Sequence, residues 1–468
     1  MASRTKLTIE ALTKLGARKL AELLLTEAAG NRQLKRTLDL AVSAKEGPVA
    51  LGSSLRKRLV TLANANSMLA YERGRELIGE LDGLRRSIIE TVGIREPNLA
   101  LELLWQFLDL HPSIFERVDD SSGRVGSVFR AACEDLGPLA EGARVDVQEL
   151  AATVFAKVTS NGYGIYDKLI ASLSGALGKK GRAKLRTLLL EHRQQYLTEE
   201  KRAAIDAGRF DYTLSGLSLA LRDIADCEGD VDAFIDTYRG RDLTNPRFVS
   251  EIAVRLLRAG RAKEALSYLD CAPPSAANGH FAHAEWRDAR IAALDALQRA
   301  DEAQALRMAV FKAQLSPAHL RAYLDRLPDF DDVEAEFQAL DVVAGHSNVH
   351  AALAFFVQWP AHERAARMIV SRIREIDGDH YELLDPCAST LEGKHPLAAV
   401  LLRRALIEVT LQMGRATRYK HAARHVREID SLNAQIKDFA GFESHDQFMA
   451  RLLESHSRKT GFWPLLRD

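Results

Sequence analysis

Leu256–Leu257–Arg258–Ala259–Gly260–Arg261, followed at once by Glu264–Ala265–Leu266, reads as a helix, a tight turn and a second helix. Small residues beside such a turn let the two helices cross closely. Val254, Leu257, Glu264, Ala265 and Leu266 recur as Leu294, Leu297, Gln304, Ala305 and Leu306, an offset of 40. Gln304–Ala305–Leu306–Arg307–Met308 is in turn similar to Arg364–Ala365–Ala366–Arg367–Met368, an offset of 60. Recurring hairpins predict an array in which each pair of helices stacks on the next.

The rest of the chain is helical in pattern. Leu77, Leu81, Leu84, Ile88 and Val92 step by four, three, four and four, which places them on one helix face. Leu99, Leu101, Leu103, Leu104, Trp105, Phe107 and Leu108 are apolar nearly all round and predict a helix buried on most sides. Thr8 caps a first short helix that Gly16 interrupts. Asn245–Pro246 and Ser316–Pro317 each set a capping side chain before a proline at the first helical position. Ser444 with Gln447 forms a capping box. Pro273–Pro274, Ser275, Asn278 and Gly279 predict a polar loop around residues 271–280. Alternating strand patterns are nearly absent.

The expected fold is therefore all-α: an N-terminal helical domain over 1–200, bridging helices over 201–244, and over 245–468 a degenerate α-solenoid of hairpins with a capping tail at Phe462–Leu466. The hairpins look like those of tetratricopeptide repeats, without the full consensus or the period of about 34 residues.

With 468 residues the chain exceeds the roughly 250–300 that one core accommodates, which calls for two domains or an extended array. Lys plus Arg equals Asp plus Glu, 64 each, so there is no basic excess of the kind general nucleic-acid binders carry. The four cysteines lie far apart with no C-x-x-C pair, the pattern of reduced thiols rather than a disulfide framework. Met1–Ala2–Ser3–Arg4–Thr5–Lys6 leads into no apolar signal core, and no later run reaches the ~18–20 apolar residues of a membrane span. A cytoplasmic protein without membrane contact is expected.

Three stretches carry a family likeness: Phe115–Glu116–Arg117–Val118–Asp119–Asp120–Ser121–Ser122–Gly123, Asn161–Gly162–Tyr163–Gly164, and Ser457–Arg458–Lys459–Thr460–Gly461–Phe462–Trp463. Together they resemble an uncharacterised helical domain-of-unknown-function family of proteobacteria. Arg418–Tyr419–Lys420–His421–Ala422–Ala423–Arg424–His425 and the tail also resemble the helical region of SWIM zinc-finger proteins. No C-x-C occurs, so that resemblance implies the helical scaffold alone.

Several residue groups invite a functional reading. Asp119, Asp120, Ser121 and Ser122 pair carboxylates with hydroxyls, a set that binds a cation or supplies a general base; the same residues also suit a helix cap. Asn161 and Tyr163 lie in a glycine–aromatic loop, a candidate ligand or partner surface that matches neither a calcium loop nor a dinucleotide loop. Lys179, Lys180, Arg182, Lys184 and Arg186 form a basic run at a helix start, and the segment lacks the glycine and Ser/Thr of a phosphate-binding loop. His346/His350 and His421/His425 have the i, i+4 spacing of paired imidazoles but no assignable third ligand. Arg418, Lys420 and Arg424 suggest a basic helix face. No cofactor or metal is implied. The leading expectation is a scaffold that binds a protein or peptide. The alternatives are nucleic-acid association through basic faces, or an enzyme or metal site at Asp119–Ser122.

Overall fold

The computed structural model describes residues 8–69, 71–206, 208–238, 240, 242–273 and 280–466. Among them the regular structure is entirely helical. None of the described helices is long and apolar enough to cross a membrane. Residues 274–279 of the loop expected around 271–280, and the start Met1–Lys6, lie outside the described residues. The chain divides into two compact units, Met1–Asp242 and Leu243–Asp468.

In the first unit the stripe read from sequence forms the central ridge. Leu77, Leu81, Leu84, Ile88 and Val92 are all buried. The helix Tyr71–Arg86 runs on into a wider π-helical turn, Ser87–Val92, where Gly93 N–H reaches back five residues to Ile88 O (2.8 Å). Against it pack Pro97–Leu108, whose Leu103, Leu104, Phe107 and Leu108 are buried, and Arg124–Gly142. Gly137 allows the closest crossing: a Cβ there would strike the backbone oxygen of Ser172. Val147–Thr159 and Ser174–Tyr196 pair, and the helix Tyr212–Glu228 packs on both. Residues 201–244 thus contribute Leu214, Leu217 and Leu221 to this unit's core.

The second unit is organised by one recurring turn. Arg261 N–H bonds to Leu256 O (2.8 Å) and Gly260 N–H to Leu257 O (3.0 Å), with Gly260 at φ 74°. These are the two bonds of a helix closure that satisfies the last carbonyls. The pattern recurs at Gln298–Arg299, where Arg299 N–H meets Leu294 O (2.9 Å), and at Gly414–Arg415, where Arg415 N–H meets Thr410 O (3.2 Å). Ala361 N–H also closes on Phe356 O (3.0 Å), though Pro360 at the turn has no N–H to supply the second bond. In each case the residue after the turn residue starts the next helical segment. At two of them it is an arginine forked onto a glutamate three residues on, Arg261 to Glu264 (2.7 and 2.6 Å) and Arg299 to Glu302 (2.6 and 2.7 Å).

These turns define a register. Leu256, Leu294 and Phe356 are buried before the turn, and Ala265, Ala303 and Ala365 after it. The structural offsets are 38 and 62, two residues away from the 40 and 60 suggested by side-chain similarity. Apolar helices match almost as well when slid along one another, whereas the turn residue and its closing bond do not move. Within this unit Pro246–Arg258 also packs on His280–Ala296, and His362–Arg372 on Pro396–Gln412, so hairpins lie on their successors. Phe462 is buried with its ring edge-on to Tyr419 (5.9 Å), and Trp463 Nε1–H donates to His456 O (3.0 Å), which fastens the tail to the unit's last helices.

Gln298 holds the left-handed position (φ 60°) that Gly260 and Gly414 hold in two sister turns. Gln298→Gly is expected to stabilise the chain by about 1 kcal/mol, and Gly260→Ala to destabilise it by about as much. Urea-unfolding midpoints check both; a lower midpoint for Gln298→Gly would contradict the shared turn geometry.

Candidate binding surface

The Asp119–Ser122 loop spends its carboxylates on backbone donors. Asp119 Oδ1 accepts from Ser121 N–H (3.0 Å). Asp120 accepts from Val125 N–H (2.9 Å) and Gly126 N–H (2.8 Å), which satisfies two free donors at the start of Arg124–Gly142. Asp119, Asp120 and Ser122 line a small recess of about 130 Å³ together with Arg75 and Arg124. The geometry is that of a helix cap, with two guanidinium-bearing residues beside it.

Asn161 bridges its own loop: its Nδ2 donates to Asp167 Oδ1 (2.7 Å) and its Oδ1 accepts from Tyr166 N–H (3.1 Å). With Asp167 and the facing helix Tyr212–Glu228 it encloses a cleft of about 440 Å³ floored by Ile170, Leu217 and Ala220. Tyr163 turns elsewhere. It stacks on Phe115 (4.7 Å between centroids) and sits edge-on to His111 (5.9 Å), within an aromatic group that includes Phe129 and Tyr166. His111 shares a hydrogen bond between Nδ1 and Leu108 O (2.8 Å), and burial lowers its pKa. The loop therefore divides, with Asn161 on the cleft and Tyr163 on the aromatic group.

In the second unit the cations expected to form a basic face are largely paired. Arg418 Nη1 meets Asp379 Oδ1 (3.3 Å) and its guanidinium lies over Tyr381 (4.2 Å). Arg424 Nη2 meets Asp385 Oδ2 (2.7 Å), while Lys420 is exposed. Arg403, only 1% exposed, donates from Nε to Glu428 Oε2 (2.8 Å) and from Nη2 to Glu392 Oε2 (2.6 Å).

His425 joins this group through Nδ1 to Glu428 Oε2 (3.0 Å). Asp385, His425 and Glu428 offer ligand atoms within 4.8 Å of one another. A metal would have to displace the Arg403 and Arg424 protons from the same carboxylates, so the set fits a buried ion-pair network better than a metal site. His421, one turn earlier, is exposed. His346 precedes the helix Val349–Gln358, whereas His350 lies within it beside His380 (4.2 Å), so that pair is not one turn of one helix. The His346/His350 spacing misled because Asn348 caps the helix between them.

One surface carried no sequence signal strong enough to single it out. Along Asp331–Ala344, Ala339 and Val343 face the core, while Phe330, Val333 and Phe337 point outward with 84%, 65% and 59% of their surface exposed. Phe330 holds a left-handed backbone (φ 77°), an outlier conformation for a bulky residue. Val333 and Phe337 share one helix face, and Phe330 flanks the start of that helix. Only packing shows that Phe330 and Val333 stay exposed, with Arg364 alone laid over Phe337.

The chain matches a family of unknown function, DUF6880, over residues 2–465. It belongs to that family. No curated protein and no solved structure gives a significant match. Any functional reading of this family member therefore rests on its surfaces.

Two outcomes follow from the geometry. Asp120→Ala removes the carboxylate that accepts from two backbone N–H groups and is expected to cost about 1 kcal/mol, while Asp119→Ala stays within roughly 0.5 kcal/mol; thermal unfolding of both distinguishes the roles, and release of a bound ion by Asp120→Ala would instead mark a ligand site. Burial lowers the pKa of His425, with the Glu428 bond opposing it. The unfolded chain then binds the proton first, so stability is full above about pH 6.5 and falls as pH drops from there toward the lowered folded-state value. Urea midpoints at pH 7.5 and 5.5 should show this drop, and His425→Gln should reduce it; an unchanged drop would place its source at other histidines.

Proposed function

We propose that this chain is a cytoplasmic protein- or peptide-binding scaffold whose residues 245–468 form a degenerate, tetratricopeptide-like hairpin array. Bridging helices over 201–244 would join it to a helical domain at 1–200. The observation that carries the reading is the outward aromatic stripe Phe330–Val333–Phe337 on a stacked-hairpin unit. Contiguous exposed apolar surface on a folded domain marks interaction sites, and arrays of helix pairs present such surfaces to partners.

Other features support this choice over the alternatives. Arg403, Arg418 and Arg424 are engaged by carboxylates, which leaves less free positive charge for phosphates. Asp120 is engaged by two backbone N–H groups, which leaves it little capacity as a base or cation ligand. The likeness of residues 418–425 to SWIM proteins, and the proteobacterial affinity, add only a helical scaffold to this picture.

The test compares the wild-type chain with Phe330→Ser/Val333→Ser as bait in the native host. Both positions are exposed, so the fold should tolerate the change within about 1 kcal/mol. The expected result is a protein retained by wild type, lost with the variant, and bound again when purified. Equal recovery by both baits would reject this surface as the scaffold's working face.

A further inference from the structure

We infer that the outer face of Asp331–Ala344 docks a cationic amphipathic helix of a partner protein, an inference that rests on the scaffold reading and specifies its partner. The face combines an apolar stripe with segregated charge. Asp325 through Asp341 holds seven carboxylates (Asp325, Asp329, Asp331, Asp332, Glu334, Glu336 and Asp341) and one basic residue, Arg326, in a chain whose formal net charge is zero. Negative charge at a helix start is favourable in itself, which accounts for Asp331, Asp332 and Glu334 in the first turn but not for the exposed stripe beside them.

The helix already shows how it takes a cation. Arg364 of the neighbouring helix lays its guanidinium over the Phe337 ring (4.2 Å) and pairs with Asp341, four residues on. Two turns earlier Phe330 flanks the start of the same helix with a left-handed backbone (φ 77°), and Glu334 lies in its first turn. There, among the described residues, no cation covers the ring, and Glu334 accepts only from Gln338 Nε2 (2.9 Å). Asp329, Asp331 and Asp332 likewise have no ion-pair partner among the described residues. The Phe337–Asp341 pair is met by a cation from within the chain, whereas the exposed Phe330, Val333 and Glu334 are not, among the described residues.

The chemistry of the occupant follows. A guanidinium or ammonium gains the exposed face of Phe330 or the carboxylates of Asp331, Asp332 and Glu334. An apolar side chain one turn away covers Val333 and the free edge of Phe337. A helix with apolar residues at i, i+3, i+7 flanked by Lys or Arg supplies both, in the manner of helix-in-groove recognition. Nucleic acid and anionic lipid are repelled by the same carboxylates.

The experiment is fluorescence anisotropy on the full chain with three labelled model helices sharing one leucine stripe, their remaining positions Lys, Gln or Glu. The Leu/Lys helix is expected to bind at least tenfold more tightly than the Leu/Glu helix, with affinity falling as salt rises. Phe330→Ala, and separately Asp331→Asn with Glu334→Gln, should each weaken it about tenfold; Glu334→Gln alone, an exposed and conservative change, should weaken it measurably with the helical circular dichroism unchanged. If the Gln or Glu helix binds as tightly as the Lys helix and depends on Phe330, the cationic partner is overturned and the scaffold reading stands. If no helix binds, or binding ignores Phe330 and Val333, the docking face and the scaffold reading built on it both fall.

Discussion

A helix can reverse direction tightly only if its last carbonyls find donors before the chain leaves. In the second unit the left-handed residue at the turn does this, with Arg261, Arg299, Ala361 and Arg415 closing back on Leu256, Leu294, Phe356 and Thr410. The same N–H groups that end one helix stand at the start of the next, so only three residues separate them. That spacing forces the two helices together near the turn and explains why Ala265, Ala303 and Ala365 are small and buried. A larger side chain there would open the hairpin and disturb the face it offers to its successor.

Charge and apolar surface are distributed unusually in this unit. Arg403 is buried and joins Glu392 to Glu428, drawing the helices Tyr381–Leu391, Pro396–Gln412 and Tyr419–Asn433 together around a polar network that also holds His425. Such a network is weak evidence for stability, because burying ions is expensive, but removing one partner leaves an uncompensated charge. Along Asp331–Ala344 the pattern is inverted: aromatic side chains face outward and carboxylates surround them. The chain is neutral as a whole and polarised locally, and local polarity is what a partner meets.

Much of the fold was legible in the sequence where the signal is local. Thr8, Asn245, Ser316 and the Ser444–Gln447 box cap helices as their residue types predict. The Leu77–Val92 ridge is buried as its period requires. The Asp119–Ser122 group carried two readings from sequence because a carboxylate that caps and one that binds a cation have the same spelling; the 2.9 and 2.8 Å bonds from Val125 and Gly126 show how Asp120 is used. Asn161 and Tyr163 stand two residues apart yet serve different surroundings, since the loop turns between them.

By itself the sequence determined the all-α class, the helix starts and which stripes are apolar, because these depend on neighbours within one or two turns. Only the tertiary structure decided which stripes are covered, how the hairpins register and which charges are engaged. Leu77–Val92 and Val333–Phe337 both step at helical spacing, but the first is buried among other helices while the second stays exposed, with only Arg364 laid over Phe337. Likewise Arg424 and Asp385 lie 39 residues apart and find each other only when their helices pack. Periodicity specifies a face; what lies against that face is set by distant parts of the chain.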